Sequence, residues 1–241
     1  MYKFSFSAFS EILVYSIRYL PTTLILSFVP SILDFILGTW LAFGEYRGHK
    51  GCKYTRNLLT LFSKCMPMLL LLFVAYFVIY NSLAWLNQRF NFPIGVQDLD
   101  PIWVALFVLT FDGVGFFAQT MRGALISIGR GQLEAAYSVG LTTWQGFRKI
   151  VLPQIIIEAF PNLRINVRTR IMLSALAFTI AIIDVMNAAT SYAENTGTFI
   201  EAYMVCAVLY WTICTVTSLV MILTEKRIAK KTGFLLRIKR S

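Results

Sequence analysis

Charged residues are scarce in this chain and make up only 14% of its 241 residues, against about 25% in typical soluble proteins. Apolar residues make up 57%, above the roughly 45–50% of soluble domains. The few charges are also segregated, because long apolar stretches hold none or one of them and basic residues crowd between these stretches. This composition excludes an ordinary soluble domain and predicts an all-α, polytopic membrane protein.

Residues that could form a disulfide, a metal site or a catalytic site are equally scarce. The four cysteines show no CxxC spacing, and His49 has no cysteine or acid at ligand spacing, so we expect no disulfide and no metal site. The sequence lacks the GxxxxGK[ST] phosphate loop, HExxH and GxSxG. It therefore predicts a non-catalytic chain that binds no nucleotide.

Basic residues outnumber acidic ones, with 22 Lys and Arg against 12 Asp and Glu. No nucleic-acid motif accompanies this surplus, so we predict contact with anionic lipid and no binding of nucleic acid.

Five stretches reach the roughly 20 apolar residues that a helix needs to cross the hydrocarbon core. They occupy residues 20–43, 58–80, 102–120, 171–189 and 202–224. The segments between them alternate between strongly basic ones and ones that are poor in base. Because basic loops stay in the cytoplasm, this alternation predicts a multi-pass protein with its N-terminus outside and its C-terminus in the cytoplasm.

The longest connection, about residues 122–160, joins the third and fourth spans, and connections of that length are usually functional. Good helix formers begin at Gly131, and apolar residues recur at helical spacing as far as Leu141. Gly140 interrupts this pattern, and a second apolar set ends at Pro153. We therefore predict two short amphipathic helices that meet at a glycine. Periodicity alone is satisfied by a helix pair that only rests on lipid.

The loop resembles the signature loop of permease subunits in binding-protein-dependent ABC importers. The resemblance implies a type I importer permease, formed by the whole chain as one transmembrane domain in a bacterial plasma membrane. It also implies a cytoplasmic coupling helix that docks in a cleft of a partner ATPase, with a sharp turn at the glycine and an exit toward the membrane at the proline. Seven positions are filled at the family's spacing: Glu134, Ala135, Ala136, Gly140, Ile150, Leu152 and Pro153.

The same resemblance implies the partners of the chain. ATP and magnesium would bind to the ABC ATPase subunits and not to this chain. The chain would pair with a second permease subunit, as a homodimer or a heterodimer. It would receive its solute from an extracytoplasmic substrate-binding protein.

Residues around the loop resemble the polar amino acid branch of that family, the histidine, glutamine and arginine permeases. Residues 118–124 resemble its Ala-Glu-x-x-Arg-Gly-Ala/Gly stretch, although Gln119 replaces the glutamate. Asp112 stands where asparagine is common, and residues 172–176 replace a usual Lys-Asp-Thr/Ser-Ser-Leu. We therefore expect a divergent permease for polar amino acids, or one half of a heterodimer that does not itself bind substrate. A permease for another small polar solute stays an alternative.

Polar residues inside predicted spans are candidates for the substrate path, because an ionisable group in a membrane normally faces a cavity or a partner. Asp112, beside two glycines, receives the ammonium group of an amino acid, pairs with Arg168 or Arg170, or is kept protonated by burial. Gln119 is a further candidate for the path. Asp34 could line the path or face another helix.

Near the outer end of the fourth span, Asp184 and Asn187 could form the rim of the path or simply be wetted at the membrane surface. Three arginines precede that span and could anchor it by the positive-inside rule, or one of them could contact the carboxylate of the substrate. These are Arg164, Arg168 and Arg170.

Two other classes of protein are alternatives. An ion-coupled secondary transporter would show internal repeats or broken helices with ion ligands at the midplane, and the sequence shows no internal repeat. A membrane-embedded enzyme would need a nucleophile, metal or general-base cluster, which the sequence also lacks.

Overall fold

The computed structural model describes residues 4–90, 95–128 and 131–231. Within these ranges the chain is helical and contains no strand, which confirms the all-α prediction. The basic C-terminal residues 232–241 and loop residues 129–130 lie outside the described residues. Ten helices follow one another there: α1 Phe6–Ile17, α2 Leu20–Tyr46, α3 Lys50–Cys65, α4 Met68–Phe90, α5 Pro101–Ser127, α6 Gly131–Ser138, α7 Thr143–Gly146, α8 Leu152–Ser174, α9 Val185–Thr196 and α10 Phe199–Lys231.

Three short segments complete the described secondary structure. Val96–Asp98 and Ala175–Ile180 are 3-10 helices, and Phe147–Val151 is a π-helical turn that leads into α8.

Four helices in the described ranges, α2, α4, α5 and α10, are long and apolar enough to cross a membrane. A bent pair, in which the helical run Trp144–Ile180 meets α9 at an angle of 47°, passes the same test when its two parts are taken together, which brings the number of candidate spans to five. The predicted spans 20–43, 102–120 and 202–224 lie inside α2, α5 and α10.

The second predicted span, residues 58–80, is not one helix. It is divided at Pro67, which separates α3 from α4. A proline pushes the residue before it out of the helical region, and Met66 has extended angles (φ −102°, ψ 123°). α4 is the part that is long and apolar enough to cross a membrane, and the first part of the predicted span belongs to α3.

The fourth predicted span, residues 171–189, is also divided. α8 already begins at Leu152, and Ala181 takes a left-handed conformation (φ 62°) after the 3-10 segment. Asp184 then caps α9, because its Oδ1 accepts a hydrogen bond from the backbone N–H of Asn187 at 2.8 Å. The sequence does not reveal this break, since alanine rarely adopts left-handed angles.

The predicted coupling loop of residues 122–160 is shorter in the structure. α5 continues to Ser127 and α8 begins at Leu152, so the first and last parts of the predicted loop are helical. The three arginines that we expected ahead of the fourth span therefore lie within α8, along the bundle, and not in a loop.

α5 lies at the centre of the bundle and packs against α2, α3, α4 and α8. Buried apolar side chains join α2, α4 and α5 with the 3-10 segment that follows α8. A second cluster joins α2, α5 and α8 near α6, and a third joins α1, α9 and α10. We call the end of the bundle that carries α6 the α6 end, and the opposite end, which carries α1, the α1 end.

Candidate functional site

The end of α6 forms a sharp turn at Gly140, which has a left-handed φ of 78°. The backbone N–H of Gly140 donates to the carbonyl of Tyr137 at 2.9 Å, and that of Leu141 donates to the carbonyl of Ala136 at 3.1 Å. This pair of bonds is a Schellman motif, which satisfies the last carbonyls of a helix and favours glycine at the left-handed position. The glycine predicted from the sequence therefore ends α6 and turns the chain.

A capping box starts the next helix. Thr142 and Gln145 bond reciprocally, since the hydroxyl of Thr142 accepts from the N–H of Gln145 at 3.3 Å and the amide oxygen of Gln145 accepts from the N–H of Thr142 at 3.1 Å. The π-helical turn follows and ends where Pro153 occupies the first turn of α8. A proline is tolerated there because it removes an N–H that the first turn does not need.

The segment from α6 to the π-helical turn is held firmly to the bundle. The ring of Phe147 packs edge-on against that of Phe43 in α2, with 4.7 Å between ring centroids. Gln154 in α8 donates to Gln132 in α6 at 3.4 Å, and Val151 is buried in the apolar cluster of this end. These contacts with α2 and α8 fix the position of the segment at the α6 end of the bundle.

The predicted coupling residues divide by exposure. Ala136 is buried under α6, and Glu134 and Ala135 are exposed on its surface. Three apolar or aromatic side chains beside them are exposed as well: Tyr137 by 46%, Val139 by 72% and Trp144 by 61%. Ile150, Leu152 and Pro153 are half-buried. An exposed aromatic and apolar set on a fixed projection is typical of a protein interface.

Ion pairs brace the bundle at the α6 end, and the sequence reasoning missed them. Glu45 at the end of α2 accepts from Arg56 of α3 at 2.6 Å and from Arg122 of α5 at 2.8 Å. Glu45 and Arg56 are nearly buried, so their charges attract each other more strongly than surface charges do. The sequence signal was a lone acid within a basic segment.

A buried triad of charges joins α2, α5 and α8 in the middle of the bundle. Arg170 donates to the carboxylate of Asp112 at 2.5 Å and to the carbonyl of Leu109 at 2.9 Å. The Nε of Arg170 lies 3.8 Å from the carboxylate of Asp34. Neither this Nε nor the two carboxylate oxygens of Asp34 form a hydrogen bond with a described residue. The three side chains are at most 6% exposed. Of the explanations open for Asp112, this geometry favours the ion pair with Arg170.

The candidates at the α1 end have structural partners. Asp184 is fully buried, accepts from the hydroxyl of Tyr210 at 3.0 Å and caps α9 through the N–H of Asn187. Asn187 is half-buried and accepts from Ser191 at 3.3 Å. The structure brings Asp184 and Asn187 together, but not with Asp112 or Gln119.

Several polar side chains lie on one exposed surface formed by α3, α5 and α8. Lys64 donates to Gln119 at 3.5 Å, and Asn166 donates to Thr120 at 3.1 Å, which links α5 to α8. Asn162 and Thr169 lie one helical turn before and after Asn166 on the same side of α8. We call this surface the polar face and define it by four exposed residues: Lys64, Gln119, Asn162 and Thr169. Of the predicted path residues, only Gln119 lies on it.

An apolar cleft of about 750 Å³ lies between α2, α5, α8 and α10. Its polar side chains among the described residues are three hydroxyls, those of Ser31, Thr212 and Thr217. The cleft therefore offers no charged group to a ligand.

Residues 35–230 match the family described as the binding-protein-dependent transport system inner membrane component. The chain belongs to this family. The match confirms the resemblance that the loop residues predicted, and it places the chain among the membrane-integral components of transport systems.

The sequence similarity between this permease and its relatives extends over most of its length. It is 30% identical to the probable amino-acid ABC transporter permease protein PatM of Vibrio harveyi over 227 residues, which cover 94% of this chain and 97% of that protein. It is 27% identical to the L-cystine transport system permease protein TcyL of Bacillus subtilis, over 88% of this chain and 86% of the relative.

A solved structure shares the fold. The permease superposes on a chain of an amino acid ABC transporter crystallised with histidines with a TM-score of 0.75, over 94% of this chain and 100% of that one, at 22% identity. The type I importer fold expected from the sequence is thereby confirmed.

Proposed function

We propose that this chain is the membrane-spanning permease subunit of an ATP-driven importer of polar amino acids. The projecting segment from α6 to the π-helical turn carries the proposal, because it presents exposed apolar side chains on a rigidly held turn. The names of relatives across bacteria, which describe amino-acid and L-cystine transport, support an amino acid as the cargo. The chain performs no covalent chemistry, and ATP with magnesium is bound by the partner ATPase.

The ATPase subunits dock at the α6 end. A short helix that projects exposed aromatic residues suits a groove on a partner protein. The α6 end is then cytoplasmic, and the α1 end, with the N-terminus, faces outward and receives the amino acid from a substrate-binding protein. α4 and α10 are mostly exposed in the single chain, and they provide surface for lipid and for a second permease subunit.

Movement of the ATPases is transmitted through the braced α6 end. When the ATPases close on ATP, the projecting segment moves with them and carries α8 through the π-helical turn, and α2 through the contact between Phe147 and Phe43. The path between the two permease subunits then changes from inward-open to outward-open.

Reconstitution tests this function. The chain, its ATPase and its binding protein are placed in liposomes, and ATP hydrolysis is measured against a panel of amino acids. We expect stimulation by a few polar amino acids. Hydrolysis that never responds, or uptake that continues without ATP and collapses with an ion gradient, would refute the proposal and favour an ion-coupled transporter.

Gly140→Val is expected to uncouple hydrolysis from the loaded binding protein. A left-handed conformation costs an L-residue about 1–2 kcal/mol, and nothing lies within 4 Å of the position to hold a side chain in place. Gly140→Asn is the matched control, because asparagine tolerates left-handed angles and should keep most of the stimulation. Equal loss in both variants would show that the turn is not what matters.

A further inference from the structure

The apolar cleft between α2, α5, α8 and α10 is open at the outer surface of the bundle. Ile32 and Phe35 of α2 line it and are 58% and 40% exposed. Across the opening, Val216 and Val220 of α10 line it and are 54% and 57% exposed. Because α2 and α10 are both long and apolar enough to cross a membrane, the opening faces the hydrocarbon core. An occupant that enters from this side is therefore apolar along this part of its length.

The face of α10 that lines the cleft becomes basic toward the α6 end. Val220 follows Val216 by four residues and Arg227 follows Val220 by seven, so the three side chains share one face of the helix. Arg227 lies about 10 Å beyond Val220 along the axis. Lys226 and Lys230 are exposed beside it, and we call these three residues the basic end of α10.

The basic end of α10 lies at the level of lipid headgroups. α10 has 33 residues and is about 50 Å long, whereas the hydrocarbon core is about 30 Å thick. Its last turns therefore extend beyond the hydrocarbon. Glu225 is the acid of these turns, and it is already paired with Arg164 at 3.6 Å. None of the three bases forms an ion pair with a described residue, so their charge is available to an anion.

We propose that the cleft holds an acyl chain of an anionic phospholipid and that the basic end of α10 binds the headgroup phosphate of this lipid. The composition predicts contact with anionic lipid in general, and the structure assigns a place for it. The cleft supplies an uncharged wall for the chain, and the bases supply charge-assisted hydrogen bonds to the phosphate. The proposed function enters only in the choice of leaflet, since it makes the α6 end cytoplasmic.

A second copy of the chain fits this surface less well than a lipid does. The α6 end of such a copy is itself basic, with Arg47, Lys50 and Lys53 exposed, so charges of the same sign would meet. The exposed acid of α8, Glu158, lies four residues from Asn162 and therefore on the side of the polar face. It does not belong to an apolar helix face that could fill the cleft.

Native mass spectrometry of the full chain in detergent tests the lipid site. The probes are phosphatidylglycerol and phosphatidylcholine with the same acyl chains, added in equal amounts. We expect one phosphatidylglycerol to be retained, at least fivefold more tightly than phosphatidylcholine. Arg227→Gln should weaken phosphatidylglycerol binding about fivefold, the factor expected for one base near a phosphate, and leave phosphatidylcholine binding unchanged. Lys53→Gln, which removes a base at the same end but on α3, should bind as the wild type does.

A second pair of variants tests the cleft itself. Val220→Trp fills the cleft and should lower the retention of both lipids. Leu219→Trp is the matched control, because Leu219 is 55% exposed on the same helix and does not line the cleft. If Val220→Trp does not fold, wild-type protein with a phosphatidylglycerol that carries a photoreactive group on its acyl chain decides. Labelling of the cleft residues supports the site, and labelling confined to other helices overturns it.

Three other outcomes overturn the proposal. These are equal retention of the two lipids by the wild type, unchanged phosphatidylglycerol binding in Arg227→Gln, and equal binding by Val220→Trp and Leu219→Trp. A lipid-free dimer of the chain that dissociates in Val220→Trp would also overturn it, because a second permease subunit would then fill the cleft. The measurement uses no ATP, ATPase or amino acid, so its failure is distinct from a failure of the proposed import function.

Discussion

Arg170→Leu is expected to abolish the folded permease. The substitution leaves the carboxylates of Asp112 and Asp34 buried without a positive charge, and removing one member of a buried ion pair costs about 3–5 kcal/mol. Because a protein of this kind has a free energy of unfolding of about 5–15 kcal/mol, little stability would remain. Fluorescence-detected size exclusion of the detergent-solubilised protein measures the folded yield, and thermal unfolding measures the shift of the midpoint.

Two controls make the expectation specific to the triad. Arg164→Leu breaks the partly exposed pair with Glu225 and should cost less than about 1 kcal/mol. The triple variant, in which Asp34→Asn and Asp112→Asn accompany Arg170→Leu, removes all three buried charges and should recover much of the folded yield. A triple variant as unstable as the single one would show that the packing of Arg170, and not its charge, matters.

The two aspartates of the triad are expected to respond differently. Asp112→Asn breaks the charge-assisted hydrogen bond at 2.5 Å and should destabilise the protein. Asp34 accepts no hydrogen bond from any described residue, and its nearest approach to Arg170 is the longer one, at 3.8 Å. Asp34→Asn therefore removes no hydrogen bond and relieves the cost of burying a carboxylate, so it should be neutral or stabilising. The thermal unfolding midpoints of the two variants, measured side by side, test this difference. Equal destabilisation of both variants would contradict it.

Gly115→Val is expected to cause the second large loss of stability, by forcing α3 away from α5. A Cβ at Gly115 would lie 2.7 Å from the backbone nitrogen and 2.9 Å from the Cα of Thr60. These are backbone atoms, so no flexible side chain can move aside. The hydroxyl of Thr60, which donates to the carbonyl of Gly115 at 3.2 Å, would lose its partner as the helices separate. Overpacking of this kind costs about 1–3 kcal/mol, and more where backbone must move.

Gly123→Ala is the matched control for that contact. It lies on the same helix, and nothing is within 4 Å of the Cβ that alanine would add. Alanine also has the higher helix propensity, so this variant should unfold at or slightly above the wild-type temperature. The close approach of α3 and α5 would not be a determinant of stability if Gly115→Val and Gly123→Ala had the same unfolding midpoint.

The membrane class and the coupling segment could be predicted from the sequence because they depend on neighbours along the chain. Apolar run length distinguishes a crossing helix, and the left-handed angle at Gly140 follows from a glycine that interrupts helical spacing. The bounds of two spans could not be predicted as accurately, because each predicted span is divided in the structure. Pro67 lies within an apolar run and is a local signal for a break in it, whereas the break at Ala181 has no local signal.

The sequence by itself determined that this chain is an all-helical membrane protein with a family-type coupling segment, since composition and residue spacing are properties of the chain. Only the tertiary structure decided which arginine of α8 is buried against Asp112, which one pairs with Glu225 and which one forms no ion pair with a described residue. The physical reason is rotation and depth. Arg168 and Arg170 point about 200° apart, whereas Arg164 and Arg168 lie on the same side of α8 about 6 Å apart along its axis, and only the packing of α8 against α5 and α10 sets what each of them meets.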